Sequence, residues 1–172
     1  LVLKLTDSGI AVGLLMACQF GPVLLLGPYA GLLAYPTDKR KLLLKVQTVS
    51  MLQSFVLAGL AFMDNPPLAA LFTVAALGGV ATALDNPARR SFVVEMVPEE
   101  LVQNAVSLNT AMMTGARIFG PTIAGALIVP VGYGWAFVVD GVSYLAVLIG
   151  LWMMRTEVLR QTPPTTRGKG QV

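Results

Sequence analysis

The chain has 172 residues, 55% of them hydrophobic and only 12% charged, with a formal net charge of +3 and a mean hydropathy of +0.72. A soluble domain carries about 25% charged residues, so this chain lacks the polar surface to face water. It has no histidine and one cysteine, Cys18, which excludes a disulfide framework and leaves no zinc or haem ligand set, so no cofactor or metal is expected.

The apolar residues come in blocks. Residues 10–33, 46–63 and 68–84 contain no charge, and 102–129 and 135–154 contain one each. A helix needs about 20 mostly apolar residues to cross the hydrocarbon core. These runs are continuously apolar, whereas a barrel strand alternates its faces, so helices are expected. The predicted spans are 9–34, 42–63, 68–85, 100–129 and 134–154. A polar tail or linker over 156–172, rich in Pro, Thr, Gly and Lys, follows on the cytoplasmic side.

The basic residues orient these spans. Lys39, Arg40, Lys41, Lys45, Arg89, Arg90, Arg155, Arg160, Arg167 and Lys169 fall on one side, and only Lys4 on the other. Cytoplasmic loops carry the excess of Lys and Arg, so the predicted N-terminus is outside and the C-terminus cytoplasmic. That topology accounts for the positive charge, and a nucleic-acid partner is not expected. The chain starts at Leu1 with no signal-peptide pattern, and an N-out start implies one further helix upstream.

The boundaries carry their own signals in chain order. The first span contains Gly21-Pro22 and Gly27-Pro28-Tyr29-Ala30-Gly31; glycine lets helices approach closely and proline frees a carbonyl. Asn65-Pro66-Pro67 predicts a tight external turn. Asp85-Asn86-Pro87 predicts a side-chain cap and a separate short cytoplasmic helix to about Met96. Pro98-Glu99-Glu100 opens the fourth span with carboxylates at the positive end of the helix dipole. That span contains Gly120-Pro121-Thr122-Ile123-Ala124-Gly125, three helices after the first Gly/Pro-rich one. Transporters built from three-helix inverted repeats place such interrupted helices beside the substrate path; ordinary small-residue packing is the competing explanation.

Two charges lie within spans. Arg117 is near the middle of the fourth, where insertion costs about 2.5–3.5 kcal/mol, so it is expected to line or brace an interior cavity. Asp140, early in the fifth and at a different depth, is the other intramembrane charge with that expected role, and each has the alternative of a structural pairing with a neighbour or backbone carbonyls. Gln19, Gln53, Asn104 and Asn109 read as hydrogen bonds between helices rather than as substrate ligands.

At this point the motifs resemble a known family. Gly31-Leu32-Leu33-Ala34 followed by Asp38-Lys39-Arg40-Lys41 resembles the loop between the second and third helices of the major facilitator superfamily. Asp85-Asn86-Pro87-Ala88-Arg89-Arg90, Val97-Pro98-Glu99-Glu100-Leu101 and Asn104-Ala105-Val106-Ser107-Leu108-Asn109 resemble its enterobactin-exporter-like branch, the transmembrane secretion effectors. The resemblance covers residues 3–155. It implies an all-α integral membrane fold, the N-terminal six-helix half with helices two to six present. It implies a secondary active, proton-coupled exporter of a small amphipathic compound such as a drug or siderophore, in a bacterial inner membrane. Its partners would be that substrate, protons, the lipid bilayer, the missing first helix and a second six-helix half. By position, Gly31, Asp38, Lys39 and Arg40 resemble the cytoplasmic gating loop. Gly115, Gly120, Pro121 and Gly125 resemble the fifth-helix motif of antiporters. The family's central Asp-Arg pair is replaced here by Tyr35-Pro36, which removes its usual charge contact with neighbouring helix ends.

Two other classes compete. Asp85-x-x-Ala88-Arg89 superficially resembles a lipid-headgroup transferase signature, but further metal-holding aspartates at helical spacing do not follow, and an enzyme is not expected. A non-transporting scaffold or truncated remnant is the other alternative.

Overall fold

The structure, a computed structural model, describes residues 1–34 and 39–154. Among them there are helices and no strands. A short α1 (Val2–Thr6) precedes α2 (Gly9–Ala34), α3 (Lys39–Phe62), α4 (Leu68–Glu95), a 3-10 turn (Glu99–Leu101) and α5 (Val102–Met153). Four helices are long and apolar enough to cross a membrane. At 1.5 Å per residue α5 would extend about 78 Å, more than twice the ~30 Å hydrocarbon core. It is broken at Gly132, whose φ of 82° and ψ of 175° leave the helical region and suit only a residue without Cβ. Pro130, two residues earlier, withholds an amide from the same stretch. The arms on either side of this break are called the first and second arms of α5.

Helix α3 is the hub. Its start meets the end of α4 through the Lys39–Glu95 ion pair and the end of α5 through Arg40. At its other end Phe62 packs edge-on against Trp135, with ring centroids 5.9 Å apart. Both neighbours therefore run antiparallel to α3, and Lys39, Arg40 and Glu95 share one end of the bundle.

The side chains are arranged inside out relative to a soluble fold. Large residues cover the outside: Ile10 is 85% exposed, Leu24 78% and Val129 87%. The interior combines a few large residues, Leu43, Leu71, Phe92 and Leu151, with many small ones, Ala58, Ala81, Ala83 and Ala88 and Gly78, Gly79, Gly134 and Gly141. Lipid tails are as apolar as leucine, so helices associate in a bilayer by close packing and hydrogen bonds rather than by hydrophobic burial. Gly79 carries this furthest: a Cβ there would collide with the backbone carbonyl oxygen of Gln19, so α2 lies directly on α4.

One expectation fails. The chain does not begin a separate helix at Asp85-Asn86-Pro87; α4 runs unbroken through Pro87 to Glu95. Asp85 does not cap an N-terminus but binds Gln47 and Arg89. The Gln47–Asp85 hydrogen bond and the Lys39–Glu95 pair clamp the last turns of α4 against α3 on both sides of Pro87, which holds the helix together despite the amide donor that proline lacks. The Pro98-Glu99-Glu100 signal does mark a helix start, with Pro98 preceding the 3-10 turn that leads into α5.

Replacing Gly79 by Ala is expected to destabilise the bundle by about 1–3 kcal/mol, the usual cost of overpacking against backbone. Gly115→Ala, where a Cβ meets nothing within 4 Å, is expected to be neutral or slightly stabilising. Unfolding of the two variants in mixed micelles, followed by circular dichroism, measures the difference.

Candidate functional site

The α-helical period gathers polar side chains from four helices. On α3, Ser50, Gln53, Ser54 and Leu57 recur at the i, i+3, i+4, i+7 spacing of one face. The second arm of α5 offers Asp140 and Tyr144 one turn apart, α4 offers Gly78 and Thr82, and α2 offers Gln19. These residues line a cavity of about 160 Å³. The Ser54 hydroxyl donates to Asp140 Oδ2 at 2.5 Å, and Ser54 itself is only 5% exposed. Tyr144 stands within electrostatic reach of Asp140, Asp85 and Arg89, and its phenol faces the Ser50 hydroxyl. The Gln53 amide lies against Gly78, in the space that a Cβ would take. Asp140 keeps exposed surface on the cavity's open side. A carboxylate is expensive against hydrocarbon, so that mouth requires protein or water over it.

A second polar group sits toward the Lys39 end. Gln47 is 2% exposed and donates through Nε2 to Asp85 Oδ1 at 3.0 Å. Arg89 Nε donates to Asp85 Oδ2 at 3.0 Å. Gln47 Oε1 is buried without a hydrogen-bond partner among the described residues. Turning the amide over would set that oxygen against the Asp85 carboxylate, so the observed orientation is the favourable one. Arg40 donates from Nε to the Leu151 carbonyl at 2.7 Å and from Nη2 to the Trp152 carbonyl at 2.8 Å. It thereby satisfies two of the carbonyls that a helix C-terminus leaves unpaired and sets a cation at the negative end of its dipole.

This arrangement of apolar crossing helices around a polar centre can be compared with known proteins. The profile of the transmembrane secretion effector family matches residues 1–169. The chain belongs to this family, within the major facilitator superfamily. It is 27% identical over 152 residues to the staphyloferrin A transporter of Staphylococcus aureus, covering 87% of this chain and 38% of that protein. It is also 27% identical over 161 residues to the uncharacterized MFS-type transporter YfiS of Bacillus subtilis, covering 92% of this chain and 37% of that protein. The chain thus spans well under half the length of these two relatives. No solved structure matches it at a significant level.

The residues singled out in the sequence scatter across this transporter fold. Of the gating-loop set, Gly31 falls within α2 and Asp38 lies outside the described residues, as do Tyr35 and Pro36. Lys39 and Arg40 open α3 and bind Glu95 and the end of α5. Gly115, Gly120, Pro121 and Gly125 all lie on the first arm of α5, where a Cβ on each of the three glycines meets nothing within 4 Å, and the backbone stays helical through Pro121. Arg117, on the same arm, is exposed and does not line the cavity, so it is not brought to Asp140. Gln19 and Gln53 join the cavity, while Asn104 is exposed and Asn109 donates from Nδ2 to Met113 Sδ at 3.8 Å. Ser50, Ser54, Thr82 and Tyr144 were not anticipated. Their signal was present as polar residues at helical spacing inside otherwise apolar blocks.

Arg40→Ala is expected to loosen the last turn of α5 by about 1.5–3 kcal/mol, the range for hydrogen bonds from a charged donor. Faster amide hydrogen exchange confined to the final turns of α5, with the Phe62–Trp135 end unchanged, is the measurement that shows it.

Proposed function

We propose that the chain forms part of a secondary active exporter that moves a small amphipathic compound, such as a drug or siderophore, out of the cell in exchange for protons. The observation that carries this reading is an intramembrane carboxylate, Asp140, held in a polar cavity within a chain of a transporter family. The relative named for staphyloferrin A supports a substrate of that kind. The reading assigns no catalytic step to the protein. A further helix and a second six-helix half complete the machine, consistent with the share of its relatives that the chain spans.

Arg117 has a part in this reading. It sits on an exposed face of the first arm of α5 beside Ile118 and Phe119, which are 64% and 65% exposed. A guanidinium at that depth is too costly against lipid, so this face looks onto the substrate path or the other half. Lys39, Arg40 and Lys41 with Arg89 and Arg90 mark the cytoplasmic end of a multi-pass protein of the bacterial inner membrane.

Two measurements test these points. In cells expressing the full-length protein, Arg117→Ala is expected to lower proton-driven efflux roughly tenfold or more, the effect of losing a charged contact, with membrane insertion retained; wild-type efflux from a well-inserted variant would remove Arg117 from the path. With Cys18 replaced by Ser, a cysteine at Asn65 is expected to react with an impermeant maleimide in intact cells. A cysteine at Lys41 is expected to react only after the membrane is opened, and the reverse pattern would invert the topology.

A further inference from the structure

The basic residues near the start of α3 divide between two faces. At about 100° per residue, Lys39 and Arg40 fall with Leu43, Gln47 and Ser54 on the face that packs into the bundle. Both are satisfied there, Lys39 by Glu95 and Arg40 by the carbonyls of Leu151 and Trp152. Lys41 and Lys45 fall on the opposite face and are exposed. Val49, Leu52 and Val56 continue along that face and are exposed as well. The five residues share an arc of about 80°, so two lysines stand at the head of an outward apolar stripe.

The two tryptophans of the chain, Trp135 and Trp152, place this stripe in a bilayer. Tryptophan rings collect at the membrane–water interfaces, and both are exposed. Trp152 lies level with Arg40, which donates to its carbonyl, and Trp135 lies level with Phe62. From Arg40 to Phe62 the helix rises about 33 Å, close to the ~30 Å of a hydrocarbon core. Lys45 therefore stands about 7.5 Å inside the level of Arg40 while facing lipid. A cation there is costly unless its stem carries the ammonium back to the headgroups. The Cβ atoms of a helix tilt toward its N-terminus, which for α3 is the near interface. Lys45 is thus led toward Lys41, one turn away, and like charges at i, i+4 repel unless an anion sits with them.

We propose that Lys45, together with Lys41, holds the headgroup of an anionic phospholipid whose acyl chain lies along Val49, Leu52 and Val56. The headgroup is one with a net negative phosphate and no amine of its own. A free anion would use the lysines and gain nothing from the stripe. A zwitterionic lipid would bring its own cation to a place that already holds two. An anionic phospholipid matches both halves of the face, charge against charge and chain against aliphatic side chains. Lys39 and Arg40 take no part, because they are turned inward and bound within the protein. Helix α3 is the hub to which α4 and the second arm of α5 are tied, so a lipid held here sets the depth of that assembly in the membrane. The site goes beyond the exporter reading and does not rest on it.

The test is native mass spectrometry of the purified full-length protein, released from micelles that contain equal amounts of phosphatidylglycerol and phosphatidylcholine. The readout is the ratio of the two lipids in the species that retains a single lipid. The wild type is expected to favour phosphatidylglycerol. Lys45→Gln is expected to lower that preference about fivefold, and Lys41→Gln with Lys45→Gln about twenty-five-fold, the scale of one favourable contact per basic residue at an anionic surface. Lys45→Arg is expected to keep it. Lys4→Gln removes the same charge from α1 and is expected to leave the ratio unchanged. Equal retention of the two lipids by the wild type, or an undiminished preference in the double variant, overturns the site. So does an equal loss in Lys4→Gln and Lys45→Gln, which would show net charge alone at work. Efflux is not measured, so a failure of the exporter reading leaves this result standing.

Discussion

Within a bilayer a polar side chain has no water to return to, and each one has to find its partner inside the protein. That constraint organises this molecule around α3. The helix carries Gln47, Ser50, Gln53 and Ser54 among apolar neighbours, and none of these can be turned toward lipid without leaving a buried donor or acceptor unmade. Helix α4 and the second arm of α5 supply the complements, Asp85 on one side and Asp140 with Tyr144 on the other. The close approaches that make the bonds possible come from glycine. Gly78 leaves room for the Gln53 amide, Gly134 for the Phe62 ring and Gly141 for the Phe55 ring. Polar pairing fixes which faces meet, and small residues fix how near they come.

The same reasoning separates the two arms of α5. The second arm is tied to α3 along its length, from Trp135 at one end to the carbonyls of Leu151 and Trp152 at the other. The first arm shows open space at Gly115, Gly120 and Gly125 and an exposed Arg117. Its side-chain hydrogen bonds are local, Thr110 to the Val106 carbonyl and Asn109 to Met113. One helix therefore holds both a fixed element and a face available to other partners, with Gly132 as the joint between them.

Much of the fold was legible in the sequence because hydropathy and turn chemistry are local. The apolar blocks correspond to long helices, and Asn65-Pro66-Pro67 does separate α3 from α4, with Pro67 at the N-cap. What was not legible depended on distant contacts. Asp85-Asn86-Pro87 has every local mark of a helix start, yet α4 continues because Gln47 and Lys39 grip residues on both sides of the proline. Asp140 stood out as a charge within an apolar run, but its companions did not. Serine, threonine and tyrosine are common in membrane helices and acquire meaning only when three helices bring them together. Arg117 and Asp140 each read as an intramembrane charge that lines or braces a cavity; the structure sets them on different arms and in different surroundings.

That separation bears on how the two arms of α5 are linked. The cavity beside Asp140 is small and lined mainly by hydroxyls, amides and one carboxylate, and Arg117 stands away from it. The Asp140 carboxylate accepts from the Ser54 hydroxyl and so ties the second arm of α5 to α3. Because α5 continues through Gly132 into the arm that bears Arg117 and the open glycine face, a shift at the α3 seam has a direct mechanical route to that face. Packed helix interfaces move between discrete arrangements rather than deforming smoothly, and a glycine with a non-helical backbone at the joint is where such a change is least costly.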